Sequence, residues 1–380
     1  MNSAEKPVTR PARRQIGFQE GGLVLVVLLL GAFLAFFGGT VRMPVFEVNE
    51  QGERVRVFRE LPNGDREPVM QEKNKFLNAD SLAQLAKDTS FIAIMAIGAT
   101  LVIIAGGIDL SVGSIYALAS VTAALCLHQF GPDGARSSAS PWLAVPLGIA
   151  VCVGVGTLCG LLNGGMIVAL RVHPFIITLG TMAIFRGVAF VITKGQSVGA
   201  FPEAFREMIL FNFNSGLSLV PLLVMLMVTI CGGIFLSRMA AGRRVYAVGG
   251  NELASRYSGI RVERVKLGVF ILAGLTAGIS ALLAIGYYGA ATSGDGTGYE
   301  LNVIAAAVVG GASLSGGKGS ALGAALGALI IQMISTGIVY LGIDQNYSNI
   351  IIGAVVILAV LLDQVNNWWA KKRLLARAGS

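Results

Sequence analysis

The sequence has little charge, almost no histidine and few cysteines, and each shortage removes a class of protein. Charged side chains make up 13% of its 380 residues, against about 25% in a soluble domain, so the chain is not a water-soluble globule. Cys126, Cys152, Cys159 and Cys231 lie in or at the edge of apolar runs with no CxxC or His-paired spacing. They read as buried thiols that fill space, not as a zinc site. His128 and His173 are the two histidines; they stand apart and read as structural. A membrane-embedded enzyme would need a cluster of acids, histidines or a metal site near the interface, and no such cluster is evident, so no catalytic residue or metal ligand is assigned.

A nucleotide site is missing too. Gly311 to Ser320 is glycine-rich and contains Gly317-Lys318, but Ala312 stands where a phosphate loop needs its first glycine. Gly319 replaces the Ser/Thr that would hold magnesium, and no soluble strand precedes the segment. The chain is expected to bind no cofactor and hydrolyse no nucleotide; nucleotide energy, if used, must enter through a partner.

What is present is apolar length. Hydrophobic residues make up 54% of the chain, and stretches of about 17–25 residues suffice to cross a bilayer. The candidate spans, about ten, are 20–41, 86–105, 112–129, 142–169, 174–193, 218–237, 265–288, 301–313, 320–341 and 348–366. The expected fold is all-α, a polytopic transmembrane helical bundle in lipid. The first span follows Arg10, Arg13 and Arg14. It exceeds the roughly 7–15-residue core of a signal peptide and lacks an A-x-A site, so it is read as an uncleaved span.

The net charge of +8 does not call for nucleic acid, because the basic residues gather in the termini and one internal loop, as the positive-inside rule requires. The N-terminal segment, the loop with Arg238, Arg243, Arg244, Arg256, Arg261, Arg264 and Lys266, and the tail with Lys371, Lys372, Arg373 and Arg377 fall on one side. That side is read as the cytoplasm. The expected organisation is a basic N-terminus (1–19), a first span (20–41), an external insertion (42–81), a membrane domain (82–370) containing a loop at 238–266, and a basic tail (371–380). In the insertion, Val45, Glu47 and Val48, then Arg54 to Phe58, with a turn at Pro62-Asn63-Gly64-Asp65, fit a small β-hairpin. A mobile loop is the open alternative. Pro202 to Ile209 has the spacing of a short interfacial helix.

Two glycine-rich breaks interrupt apolar runs: Gly106-Gly107-Ile108-Asp109-Leu110-Ser111-Val112-Gly113 and Gly310-Gly311-Ala312-Ser313-Leu314-Ser315-Gly316-Gly317. They match at Gly, Gly, Leu, Ser and Gly. Non-helical backbone at membrane depth must be buried in protein or line a watery path, because lipid cannot satisfy its polar groups. The helices are therefore expected to break at Gly106–Gly113 and Gly310–Gly317. Asp109 either caps the half-helix beginning near Leu110 or lines a pathway; the readings are compatible, and Ser313 is the expected counterpart cap. Glycines at four-residue spacing (Gly156, Gly160, Gly164; Gly274, Gly278; Gly319, Gly323, Gly327) let helices approach closely.

The loop from Ala241 to Lys266 reads as a compact knob of two short helical pieces separated by Gly249-Gly250. Asn251 is the expected N-cap and Gly259 the stop. Leu253, Ala254 and Tyr257 recur at helical spacing and suit a groove on a partner.

Four segments in order, GGIDLSVGS (106–114), HPFIITLGTMAIFRGVA (173–189), AVGGNELASRYSGIRV (247–262) and YELNVIAAAVVGGASLSGGKGS (299–320), together resemble the permease subunits of bacterial ABC importers for monosaccharides, the ribose-type family. The resemblance runs from about Phe76 onward. It implies an inner-membrane permease that pairs with a second permease copy, a cytoplasmic ABC ATPase carrying ATP and Mg, and a periplasmic sugar-binding protein, while the charge pattern and the even span count place both termini in the cytoplasm. It places ATPase coupling on Gly250, Asn251, Ala254, Ser258 and Gly259. Candidate pathway or gate residues are Asp109, Ser111, Asn163, Thr178, Thr181 and Ser315, polar groups in motif segments; interhelical hydrogen bonding is the alternative for each. The insertion between Arg42 and Lys75 departs from the shorter loop expected in the family. An ion-coupled secondary carrier is the competing reading, and it leaves the knob unexplained.

Overall fold

The computed structural model describes residues 16–48, 54–61, 64–138, 140–211 and 218–378. Arg10, Arg13, Arg14 and the Pro62-Asn63 half of the expected turn lie outside the described residues. The chain is a helical bundle: α1 (Ile16–Phe37), α2 (Ala79–Ile104), α3 (Val112–His128), α4 (Pro141–Leu170), α5 (Pro174–Thr193), α6 (Glu203–Leu210), α7 (Val220–Arg238), α8 (Ala240–Gly250), α9 (Glu252–Tyr257), α10 (Val262–Tyr288), α11 (Tyr299–Val309), α12 (Ala321–Tyr340) and α13 (Ser348–Ala378). Seven described helices are long and apolar enough to cross a membrane, and α3 and α11 are shorter apolar pieces. The helix that begins at Ser348 does not stop at the end of the expected last span but continues through the basic tail to Ala378.

Burial sorts the helices. α2 is apolar all round from Phe91 to Ile104 and buried there on every side, as a central helix must be. α1, α5 and α7 expose leucine, valine and isoleucine along their lengths, the surface that lipid covers. α4 and α10 meet through their glycines: Gly274 faces the backbone of Gly156 and Gly160 directly, which lets the axes approach and van der Waals contact hold them. Ser280 Oγ donates to the Phe91 carbonyl at 2.9 Å, tying α10 to α2. Gly323 and Gly327 of α12 play the same part against Gly310 and Ala306. Gly319 belongs instead to the break before α12, with φ +150°.

Cys152 and Cys159 are buried as expected, Cys126 is half-buried, and Cys231 is exposed on the outer surface of α7, where its neighbours are lipid-facing. His128 Nδ1 lies 2.8 Å from the Gly199 carbonyl, a structural role.

The insertion after α1 is more than one hairpin. Six strands, β1 (Thr40–Pro44), β2 (Phe46–Val48), β3 (Arg54–Arg56), β4 (Phe58–Glu60), β5 (Arg66–Pro68) and β6 (Met70–Asn74), form three antiparallel pairs, β1–β6, β2–β3 and β4–β5. The expected pairing of 46–48 with 54–56 is there, with Phe46 opposite Arg56. The turn around Gly64 instead closes the neighbouring pair, β4–β5. The three arms meet at a closed ring of backbone bonds: Val57 N–H donates to the Val45 carbonyl at 2.9 Å, Val69 to Val57 at 2.9 Å, and Val45 to Val69 at 2.8 Å. A final short pair, β7 (Val198–Gly199) with β8 (Ala290–Ala291), joins the loops after α5 and α10, and α6 tucks Phe205 and Ile209 inward.

Candidate functional site

The two breaks start alike. After α2, Gly106 takes φ +83° and its N–H donates to the Ile103 carbonyl, while Gly107 N–H reaches Val102, both at 2.9 Å. After α11, Gly311 takes φ +93° and donates to Val308, while Ala312 reaches Ala307, again both at 2.9 Å. Each is a helix stop in which a left-handed residue turns the chain and returns two N–H groups to orphan carbonyls. The geometry aligns Gly106 with Gly311, one residue away from the alignment of the sequence motifs. Asp109 therefore corresponds to Leu314, not to Ser313.

Beyond the stop the breaks diverge. Asp109 Oδ1 accepts from the Ser111 N–H at 2.8 Å and from Ser111 Oγ at 2.6 Å, which closes a tight turn leading straight into α3. In the second break α12 begins only at Ala321 and is capped by Ser320, which accepts from Gly323 N–H at 2.9 Å. The expected capping role of Ser313 thus falls to Ser320, because the second loop is longer before the helix restarts. Ser313 shapes that loop through its backbone, accepting from Gly316 N–H and donating to the Lys318 carbonyl.

Asp109 and Ser111 are joined by Asn163 of α4, whose Nδ2 donates to Ser111 Oγ at 2.7 Å. Thr178 of α5 donates to the Ile108 carbonyl at 3.3 Å, and Thr181 donates to Thr178 at 3.3 Å. All five side chains are buried. They make hydrogen bonds within and between helices. Ser315 is not among them; it is exposed in the second break. Asp109 Oδ2 and Asn163 Oδ1 are buried with no partner among the described residues.

The knob touches both breaks. Tyr246 of α8 donates its hydroxyl to the Gly319 carbonyl at 2.7 Å. Gly317 N–H donates to the carbonyl of Ile104, the last residue of α2, at 2.8 Å. Gly249 lies against both: a Cβ there would sit 1.6 Å from the Ile104 oxygen and 2.8 Å from Gly317 N. The last turn of α8 thus rests on the stem of the first break and the loop of the second.

Past that contact, Asn251 caps α9 by accepting from Ala254 N–H at 2.9 Å. Gly259, with φ +80°, ends it. Lys266 reaches Glu252 and Arg256 reaches Glu263, each at 2.8 Å, bracing the knob on α10. Gly250, Asn251, Ala254, Ser258 and Gly259 all lie exposed. Leu253 and Tyr257 are 61% and 83% exposed on the same short helix.

One group was not anticipated from the sequence. Tyr116 of α3, Tyr288 of α10, Tyr299 of α11, Thr292 and Asp295 surround a cavity of about 270 Å³. The Tyr116 and Tyr299 rings are 5.4 Å apart. Asp295 accepts from Thr292 N–H at 2.9 Å and Oγ1 at 2.6 Å. Arg186 of α5 donates to the Ser293 carbonyl at 2.9 Å and to that of Asp295, and Glu300 has a buried carboxylate oxygen without a partner among the described residues. Lys87 is buried against the Tyr287 ring at 4.1 Å and pairs with Asp88 at 3.1 Å. The signal was Arg186, a cation inside an apolar span that demands partners.

A bundle with broken helices, a buried polar turn at one break and a braced knob that packs on one break and is hydrogen-bonded to the other has the parts of a membrane transport subunit. The chain belongs to the family described as branched-chain amino acid transport system, permease component, whose model matches residues 81–360. It is 37% identical to the ribose import permease protein of Escherichia coli over 290 residues, 76% of this chain and 87% of that one. It is 37% identical to the D-allose transport system permease protein of the same organism over 294 residues (76% and 85%), and 31% identical to the autoinducer 2 import system permease protein of Salmonella paratyphi B over 312 (79% and 90%). No solved structure matches. The protein is a multi-pass ABC importer permease and not an enzyme, and ATP hydrolysis belongs to a separate subunit. The β-stranded insertion lies outside the family match.

Proposed function

We propose that this permease carries a monosaccharide or a related small polyol into the cytoplasm. The similarity to ribose and allose permeases over three-quarters of the chain carries this reading. The cavity bounded by three tyrosines and Asp295 supports it: flat rings suit the C–H face of a sugar and a carboxylate suits its hydroxyls. The sugar contacts are weak and transient, because a tight site would stall release. Asp109, Ser111, Asn163, Thr178 and Thr181 hold the first break in shape, and Ser315 lies where the second break meets the knob.

In the same reading the chain sits in the bacterial inner membrane with cytoplasmic termini and pairs with a second copy of itself. A periplasmic binding protein delivers the solute. Gly250, Asn251, Ala254, Ser258 and Gly259 form the seat of an ABC ATPase that holds ATP and Mg. The hydrogen bond from Tyr246 of α8 to Gly319 and the packing of Gly249 on Ile104 are the route by which ATPase closure moves the helix breaks. Uptake of labelled pentoses and hexoses, set against labelled leucine, in proteoliposomes holding the chain with its co-purified ATPase and binding protein tests this. Sugar accumulation that depends on ATP and is abolished by bulky charged replacements of Asn251 and Ala254 is the expected result. Accumulation of leucine alone refutes the substrate class, and uptake driven by an ion gradient without ATPase refutes the coupling.

A further inference from the structure

Two cavities flank the base of the knob, and their charge balance differs. One, of about 780 Å³, has Glu252, Arg256, Glu263 and Lys266 in its wall, and these four pair with one another. The other, of about 730 Å³, lies between α7, α8 and α10. It has Arg244, Arg261 and Arg264 in its wall and no acidic residue. None of the three forms a salt bridge among the described residues. The remainder of that wall is mainly apolar, with Phe235 of α7 and Val265 and Leu272 of α10.

We propose that this cavity holds an anionic phospholipid, with the phosphate on the three arginines and the start of an acyl chain along Phe235 and Leu272. A free anion would satisfy the arginines and leave the apolar wall against water; a zwitterionic lipid would cover the wall and bring its own cation to the arginines. An anionic lipid meets both demands, and guanidinium groups match phosphate oxygens in pairs. The cavity falls within the roughly 300–1,000 Å³ of ordinary ligand pockets. Ser258 and Gly259 share its wall, so the lipid contacts the segment that links knob to bundle. The proposal requires a bilayer and is independent of the transported solute.

Native mass spectrometry of the delipidated full chain, titrated with phosphatidylglycerol or phosphatidylcholine of equal chain length, tests it. Each interfacial cation contributes about fivefold, so three give on the order of a hundredfold preference for phosphatidylglycerol. The triple variant Arg244→Gln, Arg261→Gln, Arg264→Gln is expected to lose that preference, while the matching Arg→Lys triple retains most of it and controls for folding. Equal retention of the two lipids overturns the proposal, as does unchanged retention in the Gln triple. Full displacement by equimolar inorganic phosphate marks a site for soluble anions and also overturns it. A Gln triple that keeps its phosphatidylglycerol but no longer co-purifies an ATPase assigns the arginines to an acidic protein surface instead.

Discussion

The two helix breaks are built from nearly the same residues and hold themselves in different ways. The first is pinned by buried side chains of the bundle: Asp109 and Ser111 close the turn, Asn163 clamps it from α4, and Thr178 holds it from α5. The second is pinned from without, by backbone bonds to the end of α2 and by the Tyr246 hydroxyl of the knob. A turn held by buried side chains of the bundle itself is rigid. A loop whose bonds run to a separate element moves when that element moves. On the proposed coupling, the difference gives the first break to architecture and the second to transmission of force from the knob.

Gly249→Val breaks the comparison at its root, since its side chain would collide with Ile104 at the first break and Gly317 at the second. Overpacking of this kind costs about 1–3 kcal/mol where neighbours can shift, and backbone neighbours shift least. The expected result is the largest fall in melting temperature of the variants here together with loss of transport, read by thermal unfolding in detergent and uptake in proteoliposomes. A folded, active Gly249→Val protein would show that the knob does not bear on the breaks.

Asp109→Ala separates them. It strips the acceptor from the Ser111 N–H and hydroxyl, and a buried group left unpaired costs about 1–3 kcal/mol. Stability should fall by that order, and Asp109→Asn, which keeps one acceptor oxygen, should fall less. Lost transport at wild-type melting temperature would make Asp109 a pathway residue rather than a staple.

Tyr246→Phe is the smallest change and sharpens the comparison most. It removes one hydrogen bond to Gly319, worth about 1 kcal/mol, and leaves the first break untouched. Transport should fall relative to the ATP hydrolysed by the partner, with little change in melting temperature. Unaltered stoichiometry between hydrolysis and uptake would remove the second break from the coupling route.

Much of this was legible because it is local. The glycine stops, the Asn251 cap and the Gly259 end are set by φ preferences and by donors within a few residues, so the sequence shows them. The insertion shows how a local signal can be overlooked. Val45-Phe46, Val57-Phe58 and Val69-Met70 recur every twelve residues, and those valines form the ring at which the three arms meet, although hydrophobic alternation suggested a single hairpin. The offset between the breaks was missed for a different reason: residue identities align Gly106 with Gly310, whereas the hydrogen bonds align it with Gly311.

By itself, the sequence determined that this protein lives in lipid, that its helices break twice, where its knob lies and which family it resembles. Apolar length and glycine conformation are properties of single segments and survive without tertiary context. Only the tertiary structure decided which polar groups meet. Asn163 reaches Ser111 across 52 positions and Arg186 reaches the loop at Ser293 across 107, while Gly249 rests on residues of α2 and of the second break. Such contacts depend on how helices distant in the chain pack side by side, and buried polar groups in a membrane protein take whichever partner that packing brings within about 3 Å.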